Sequence, residues 1–225
     1  MTAQAQETSH GQARGRPLRA DAERNRQRIL AAAAQVFTER GLDATLDQVA
    51  RAAGVGVGTV YRRFPDKEAL VAALFRERID NLVTVAEDAC AAADPWQAVV
   101  FYLDYAAAAM AGDTGLRQLM MFATYDRDQV CYARDRMGPV ITRLVQRAQA
   151  SGDLRGDFEA TDVKMIAFML ASLAEYAAAV TPDVWRRYLT MLIDGLRPAR
   201  GETSPLPVPA PTVTELGDLM RGQPR

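Results

Sequence analysis

A chain of 225 residues, 49% of them hydrophobic, is long enough for one large domain or two modest ones and too apolar for wholesale disorder. Its two cysteines, Cys90 and Cys131, exclude a disulfide framework and a four-ligand zinc site. The one histidine, His10, stands in a polar N-terminal stretch, which removes Ser-His-Asp and Cys-His nucleophile chemistry from the folded body. The formal net charge of −1 hides an asymmetry: residues 1–67 hold 11 Lys+Arg against 7 Asp+Glu and the remainder 16 against 21, so a basic head suited to phosphate precedes an acidic body.

Residues 1–19 are polar, without periodic apolar positions, and read as a flexible basic arm. No apolar h-region occurs in residues 1–20, and the longest apolar run, 165–174, is too short for a bilayer; a cytoplasmic protein with no membrane partner is expected. Helical periodicity starts at Asp21, with Ile29, Ala33, Val36 and Phe37 on one face up to Gly41. Thr45 and Gln48 form a capping-box pattern before a short helix whose inner residues are Leu46, Val49, Ala50 and Ala53, stopped by Gly54. A second short helix is predicted over 57–64, and Asp66 caps a long one carrying Leu70, Leu74, Phe75, Leu82 and Val85. Further helices are predicted from Asp94-Pro95 to about 111, over 116–125, 137–150 and 161–180, and from Thr181-Pro182 to about 197. After Pro198 a Pro-rich tail, 199–225, reads as extended or disordered. No segment alternates with period two, so the fold is predicted to be all-α, with about nine helices. The expected units are the arm, an N-terminal three-helix domain over 20–75, a larger helical body over 76–198, and the tail.

Two short helices around a tight glycine turn are the helix-turn-helix pattern, whose second helix enters the DNA major groove. Ala50 is small enough for the helices to cross closely, Gly54 permits positive φ, and Val60 buries the inner side of the second helix. The surrounding Thr45-Leu-Asp-Gln-Val-Ala and Ala53-Gly-Val-Gly-Val-Gly-Thr-Val-Tyr-Arg-Arg-Phe-Pro-Asp-Lys-Glu-Ala-Leu70 resemble the tetracycline-repressor (TetR) family of bacterial transcription regulators over about residues 21–75. Gly56 departs from the Ser or Thr that many members carry as recognition-helix cap, and glycine is itself an acceptable cap.

The resemblance implies double-stranded DNA as partner, with Thr45, Thr59, Tyr61 and Lys67 on phosphates and Gly58, Thr59 and Arg62 nearest the bases. Arg63 is expected to serve the flank. The chemistry is apt: Gly58 and Thr59 leave room for close approach, Arg62 suits guanine or a phosphate, and Lys67 sits in the first turn of the long helix. Plainer roles compete, Thr45 as a cap, Tyr61 as packing and Arg63 as a solvated charge. In the arm, Arg14-Gly15-Arg16-Pro17 matches an AT-hook core, which would put Arg16 in a narrow minor groove, and a generic basic tail is the alternative.

The resemblance further implies a homodimer on a palindromic operator, with the last two helices forming the interface; Trp185, Leu189, Leu192 and Leu196 are the expected contacts, against the alternative of intrachain core. Aromatic and Met residues of the middle helices, Tyr102, Tyr105, Met121, Tyr125, Phe168 and Tyr176, are expected to line a pocket for a small hydrophobic or aromatic effector that releases a repressor. Asp104 and Glu175 interrupt apolar runs and are possible polar groups of that pocket. No cofactor, metal or catalytic residue is expected. An effector-independent DNA-binding protein, or a helical enzyme using Asp104 and Glu175, are the competing classes.

Overall fold

The computed structural model describes residues 15–112, 127–198, 204 and 206–220. The fold is all-α: nine α-helices are present among these residues, with no strand. They are α1 (Gly15–Arg40), α2 (Leu46–Ala53), α3 (Val57–Arg63), α4 (Lys67–Ala91), α5 (Pro95–Gly112), α6 (Arg127–Ala150), α7 (Ala160–Ala177), α8 (Val184–Leu196) and α9 (Val213–Met220). The helix expected over 116–125 lies outside the described residues.

Helices α1 to α3 form the N-terminal domain. Ile29, Leu30, Ala33, Val36 and Phe37 of α1 are buried against Leu46, Val49, Ala50 and Ala53 of α2 and Val60 of α3. The capping box at the head of α2 is complete: the Gln48 amide donates to Thr45 Oγ1 at 3.3 Å, and the Thr45 amide donates to Gln48 Oε1 at 2.9 Å. Gly54 ends α2 in the left-handed conformation, φ 63°, while its amide and that of Val55 return to the carbonyls of Arg51 and Ala50. This is a Schellman closure, in which a residue with a Cβ is strained. Helix α4 starts at the Asp66 cap, whose carboxylate accepts from the Ala69 amide at 2.7 Å. It buries Leu70, Leu74 and Phe75 near the N-terminal domain and Ile79, Leu82, Val83, Ala86 and Ala89 in the body. Helices α5 and α6 pack on its C-terminal half, α7 packs on α5 and α6, α8 on α7 and α5, and one hydrophobic core runs unbroken through both parts.

The sequence reading is corrected at three places. Helix α1 begins at Gly15, six residues ahead of Asp21, because Pro17 falls in its first turn, where the missing N–H costs nothing. Gly15-Arg16-Pro17 is therefore helical where the sequence suggested an extended arm. Helix α6 begins at Arg127 rather than near 137 and runs through Gly138-Pro139. Buried positions Val130, Ala133, Val140, Ile141, Leu144, Val145 and Ala148 keep helical phase across the proline, so packing against α4 outweighs the lost hydrogen bond. The tail is not extended throughout. Arg155 donates to the Ser204 carbonyl at 2.9 Å, residues 206–212 are irregular, and Thr212 then caps α9 through a reciprocal bond with Glu215.

Gly54→Ala should lower unfolding free energy by about 1–2 kcal/mol, the cost of a Cβ in the left-handed region. Urea denaturation checks this, and an unchanged midpoint would mean that the turn relaxes without cost.

Candidate nucleic-acid interface and body cavity

Helix α3 presents Val57, Gly58, Tyr61, Arg62 and Arg63 to solvent, while Val60 and Phe64 hold its inner side. With no Cβ at Gly58 and open space around it, a ligand can approach the backbone of the first turn. Arg62 folds back along its own helix, donating from Nε to the Gly58 carbonyl at 3.1 Å and from Nη2 to Thr59 Oγ1 at 3.4 Å. Its guanidinium thus lies over the exposed N-terminal turn. Arg63 points the other way, to Glu23 of α1 at 3.7 Å. A hydrogen bond from Gln27, with further help from Arg26 and Arg63, holds the Glu23 carboxyl below the usual range.

Thr45 caps α2, Tyr61 lies within α3 and Lys67 begins α4, yet they line one surface recess together with Asp43, Pro65 and Asp66. The start of α2 and the start of α4 both open onto it. Among the described residues Lys67 is the one cation of the recess and stands beside two carboxylates, Asp43 and Asp66, the latter engaged as the α4 cap. Arg28 carries no sequence signal, yet it donates to the Ala53 carbonyl at 3.0 Å and so supports the C-terminal end of α2 beneath the turn. The side chain of Arg16 lies outside the described residues.

A cavity of about 430 Å³ opens in the body between α4, α5, α6, α7 and α9. Tyr102 and Phe168 line it as the sequence suggested, joined by Met110, Met137, Ile141, Lys164 and, from the tail, Val213, Thr214 and Leu216. Tyr105 is not on its wall but stacks with Phe101 at 6.4 Å, and Tyr176 is 90% exposed, because the α7 face carrying it turns outward. Met121 and Tyr125 lie outside the described residues. Neither carboxylate weighed for the pocket lines it: Asp104 pairs with Arg186 at 3.3 Å and Glu175 is exposed.

The expected contacts of α8 are also corrected. Trp185, Leu189 and Leu196 are 2%, 3% and 9% exposed, and Leu192 packs on the same core, since α8 lies on α7 and α5 within the chain. The apolar residues left outside on this end are Met169, Tyr176, Val180, Tyr188 and Met191.

The two parts are joined through α4, which is tied within the body to α6. Tyr132 donates to Asp80, 2.8 Å from each carboxylate oxygen, and Arg136 reaches the same carboxylate at 3.1 Å. Burial first, then the bond to Asp80, pushes the Tyr132 phenol above its usual range. At the far end Arg147 donates to the carbonyls of Cys90 and Ala92, closing the end of α4. Both contacts tie residues more than fifty positions apart, so no local pattern announces them.

A small three-helix unit whose exposed, glycine-opened third helix lies beside a polar recess holding Thr45, Tyr61 and Lys67 defines a helix-turn-helix DNA-binding protein. Residues 29–74 match the family described as bacterial regulatory proteins, tetR family, and residues 94–198 match the transcriptional regulator SbtR-like C-terminal domain. The TetR transcription regulatory protein of Mycobacterium vanbaalenii is 33% identical, covering 80% of this chain and 99% of its own, with a TM-score of 0.63. The chain belongs to the TetR family of bacterial transcriptional regulators. The HTH-type transcriptional regulator SrpR of Pseudomonas putida is 48% identical over 64 residues, 28% of this chain; the chain thus spans 30% of that relative's length. FadR of Bacillus subtilis, solved in complex with stearoyl-CoA, shares the fold at 17% identity and a TM-score of 0.59, over 76% of this chain and 99% of its own. No helix among the described residues is long and apolar enough to cross a membrane.

Tyr132→Phe should destabilise the chain by about 1 kcal/mol, the scale of one partly exposed hydrogen bond. Tyr132→Phe combined with Arg136→Ala should lose less than the sum of the two, because both serve Asp80. Equilibrium unfolding of the three variants decides it, and full additivity would mean that the contacts are independent.

Proposed function

We propose that the protein is a homodimeric repressor, acting in the cytoplasm on the nucleoid, that binds a palindromic operator and is released by a small apolar effector in the body cavity. The observation that carries the reading is the convergence of Thr45, Tyr61 and Lys67 on one recess beside the exposed first turn of α3. In this reading the recess seats one backbone phosphate, Gly58, Thr59 and Arg62 face the bases, Arg63 serves the flank, and Arg16 adds basic charge ahead of them. Arg62 leaves the Gly58 carbonyl for a base edge or phosphate when DNA arrives; the exchange is cheap, since the bond it gives up is exposed.

Two copies meet through the outward face of α7 and α8 around Tyr176, Tyr188 and Met191, in place of the inward stripe the sequence suggested. That FadR binds stearoyl-CoA supports a ligand in a body of this fold. The effector lies against α6, and α6 is tied to α4 by Tyr132, Arg136 and Arg147. A change in α6 is thus delivered to the helix that carries the DNA-binding unit. It acts by preferring the conformation in which the two recognition helices no longer match half-sites one DNA turn apart.

Selection from a random duplex pool tests the reading. The wild type should enrich a palindrome, and Arg62→Ala should relax it at one position per half-site; no enrichment by folded protein would sink the proposal. Lys67→Ala should weaken all sequences alike and reduce the salt slope by about one unit, and a changed base preference would overturn its phosphate role. Tyr188→Asp with Met191→Asp should give folded monomers in sedimentation, whereas Leu189→Asp should unfold the chain. Dimers surviving the double change would place the interface elsewhere.

A further inference from the structure

The cavity wall is mostly apolar, and its charged side chains among the described residues share one sign. Lys164 lines the cavity from α7, on the same helix face as Ala160, Ala167 and Phe168, and makes no hydrogen bond or ion pair among the described residues. Arg127 and Arg134 stand on the α6 wall, the latter paired with Asp135 at 2.7 Å. No Asp or Glu is on the wall among the described residues. Opposite, on α5, Tyr102 is 1% exposed and its buried hydroxyl has no hydrogen-bond partner among the described residues.

Among the described residues a half-buried ammonium on a mostly apolar wall has no counter-charge and a buried phenol has no acceptor; each is costly, and one ligand group can relieve both. A carboxylate accepts from a phenolic O–H and pairs with an ammonium; a neutral ligand leaves Lys164 unpaired, and a cationic one meets three positive side chains. We propose that the cavity takes an organic acid, its carboxylate on Lys164 and Tyr102 and its alkyl or aryl body along the aliphatic wall closed by α9. This rests on the reading of the cavity as an effector site and specifies the effector's chemical class. Burial lowers the Lys164 ammonium to about 8 and raises the Tyr102 phenol, so at neutral pH the first is mostly charged and the second is a proton donor.

The test is calorimetric titration of the full chain, without DNA, with octanoate, dodecanoate and 1-naphthoate and the methyl ester of each. At pH 7 at least one acid should bind at least tenfold more tightly than its ester. Lys164→Met should bring that acid to within about twofold of the ester, and Lys164→Arg should restore the preference. Lys164→Met should melt no lower than the parent, since it removes a half-buried charge from a mostly apolar wall, so its loss of binding is not loss of fold.

Acid affinity should stay level from about pH 6 towards 8 and fall above that, as Lys164 in the free protein gives up its proton, while the ester stays level. Among the described residues the other ionisable groups on the wall are Tyr102 from α5 and Arg127, Cys131 and Arg134 from α6, so the profile is measured on a Cys131→Ser background. An ester binding as well as its acid, an acid preference that survives Lys164→Met, or no binding by any of the acids would each overturn the proposal. Release of operator DNA by a neutral compound alone would overturn it while leaving the regulatory reading intact. An acid that binds but leaves DNA bound would overturn the regulatory reading instead.

Discussion

The N-terminal domain is joined to the body through α4, and α4 is held in the body chiefly by its pairing with α6. Helix α4 is long because its apolar stripe continues without interruption from Leu70 to Ala89, and the two ends of that stripe belong to different surroundings. Its first turns lie against α1 in the N-terminal domain, and its later turns lie against α5 and α6 in the body. Polar contacts at both ends fix the register of the pair: Asp80 with Tyr132 and Arg136, and the carbonyls of Cys90 and Ala92 with Arg147. A rigid rod held at a defined register transmits displacement, while apolar packing alone permits sliding.

The DNA-facing end owes its shape to small residues. Ala50 and Gly58 remove side chains where helices or a ligand must approach, and Gly54 turns the chain within two residues. Tightness at that turn brings the heads of α2 and α4 to one recess and leaves the first turn of α3 exposed beside it. Glu23 and Arg28 of α1 brace the arrangement from beneath, holding Arg63 and the last carbonyl of α2.

The body follows a different logic. Most of its large side chains fill core, and the residues that give the cavity its chemical character are few and polar. Lys164 and Tyr102 stand on helices that pack against each other, and among the described residues neither has a hydrogen-bond partner where most of the wall is hydrocarbon. The tail helix contributes a wall because the Thr212–Glu215 box starts it and the Arg155–Ser204 contact returns the chain to the body.

Local rules were sufficient for much of the chain. Helical periodicity, the Thr45–Gln48 box, the Asp66 cap and Gly54 determined the helix-turn-helix and its family, because each depends on residues within one or two turns of each other. The same local rules failed where a signal was overlooked or outweighed. Thr212 with Glu215 marked a helix start in a tail whose prolines suggested extension, Pro17 suited a first turn instead of ending an arm, and Pro139 was carried inside α6 by its packing on α4. Which face of an apolar helix meets core and which meets solvent was beyond sequence. Trp185 and Leu189 turned inward and Tyr176 and Tyr188 outward because α8 chose α7 and α5 as partners, and that choice is made by the whole packed core. The cavity, the recess and the Asp80–Tyr132 tie likewise exist only once distant segments meet, since a side chain's partners across the chain are set by tertiary packing and not by its neighbours in sequence.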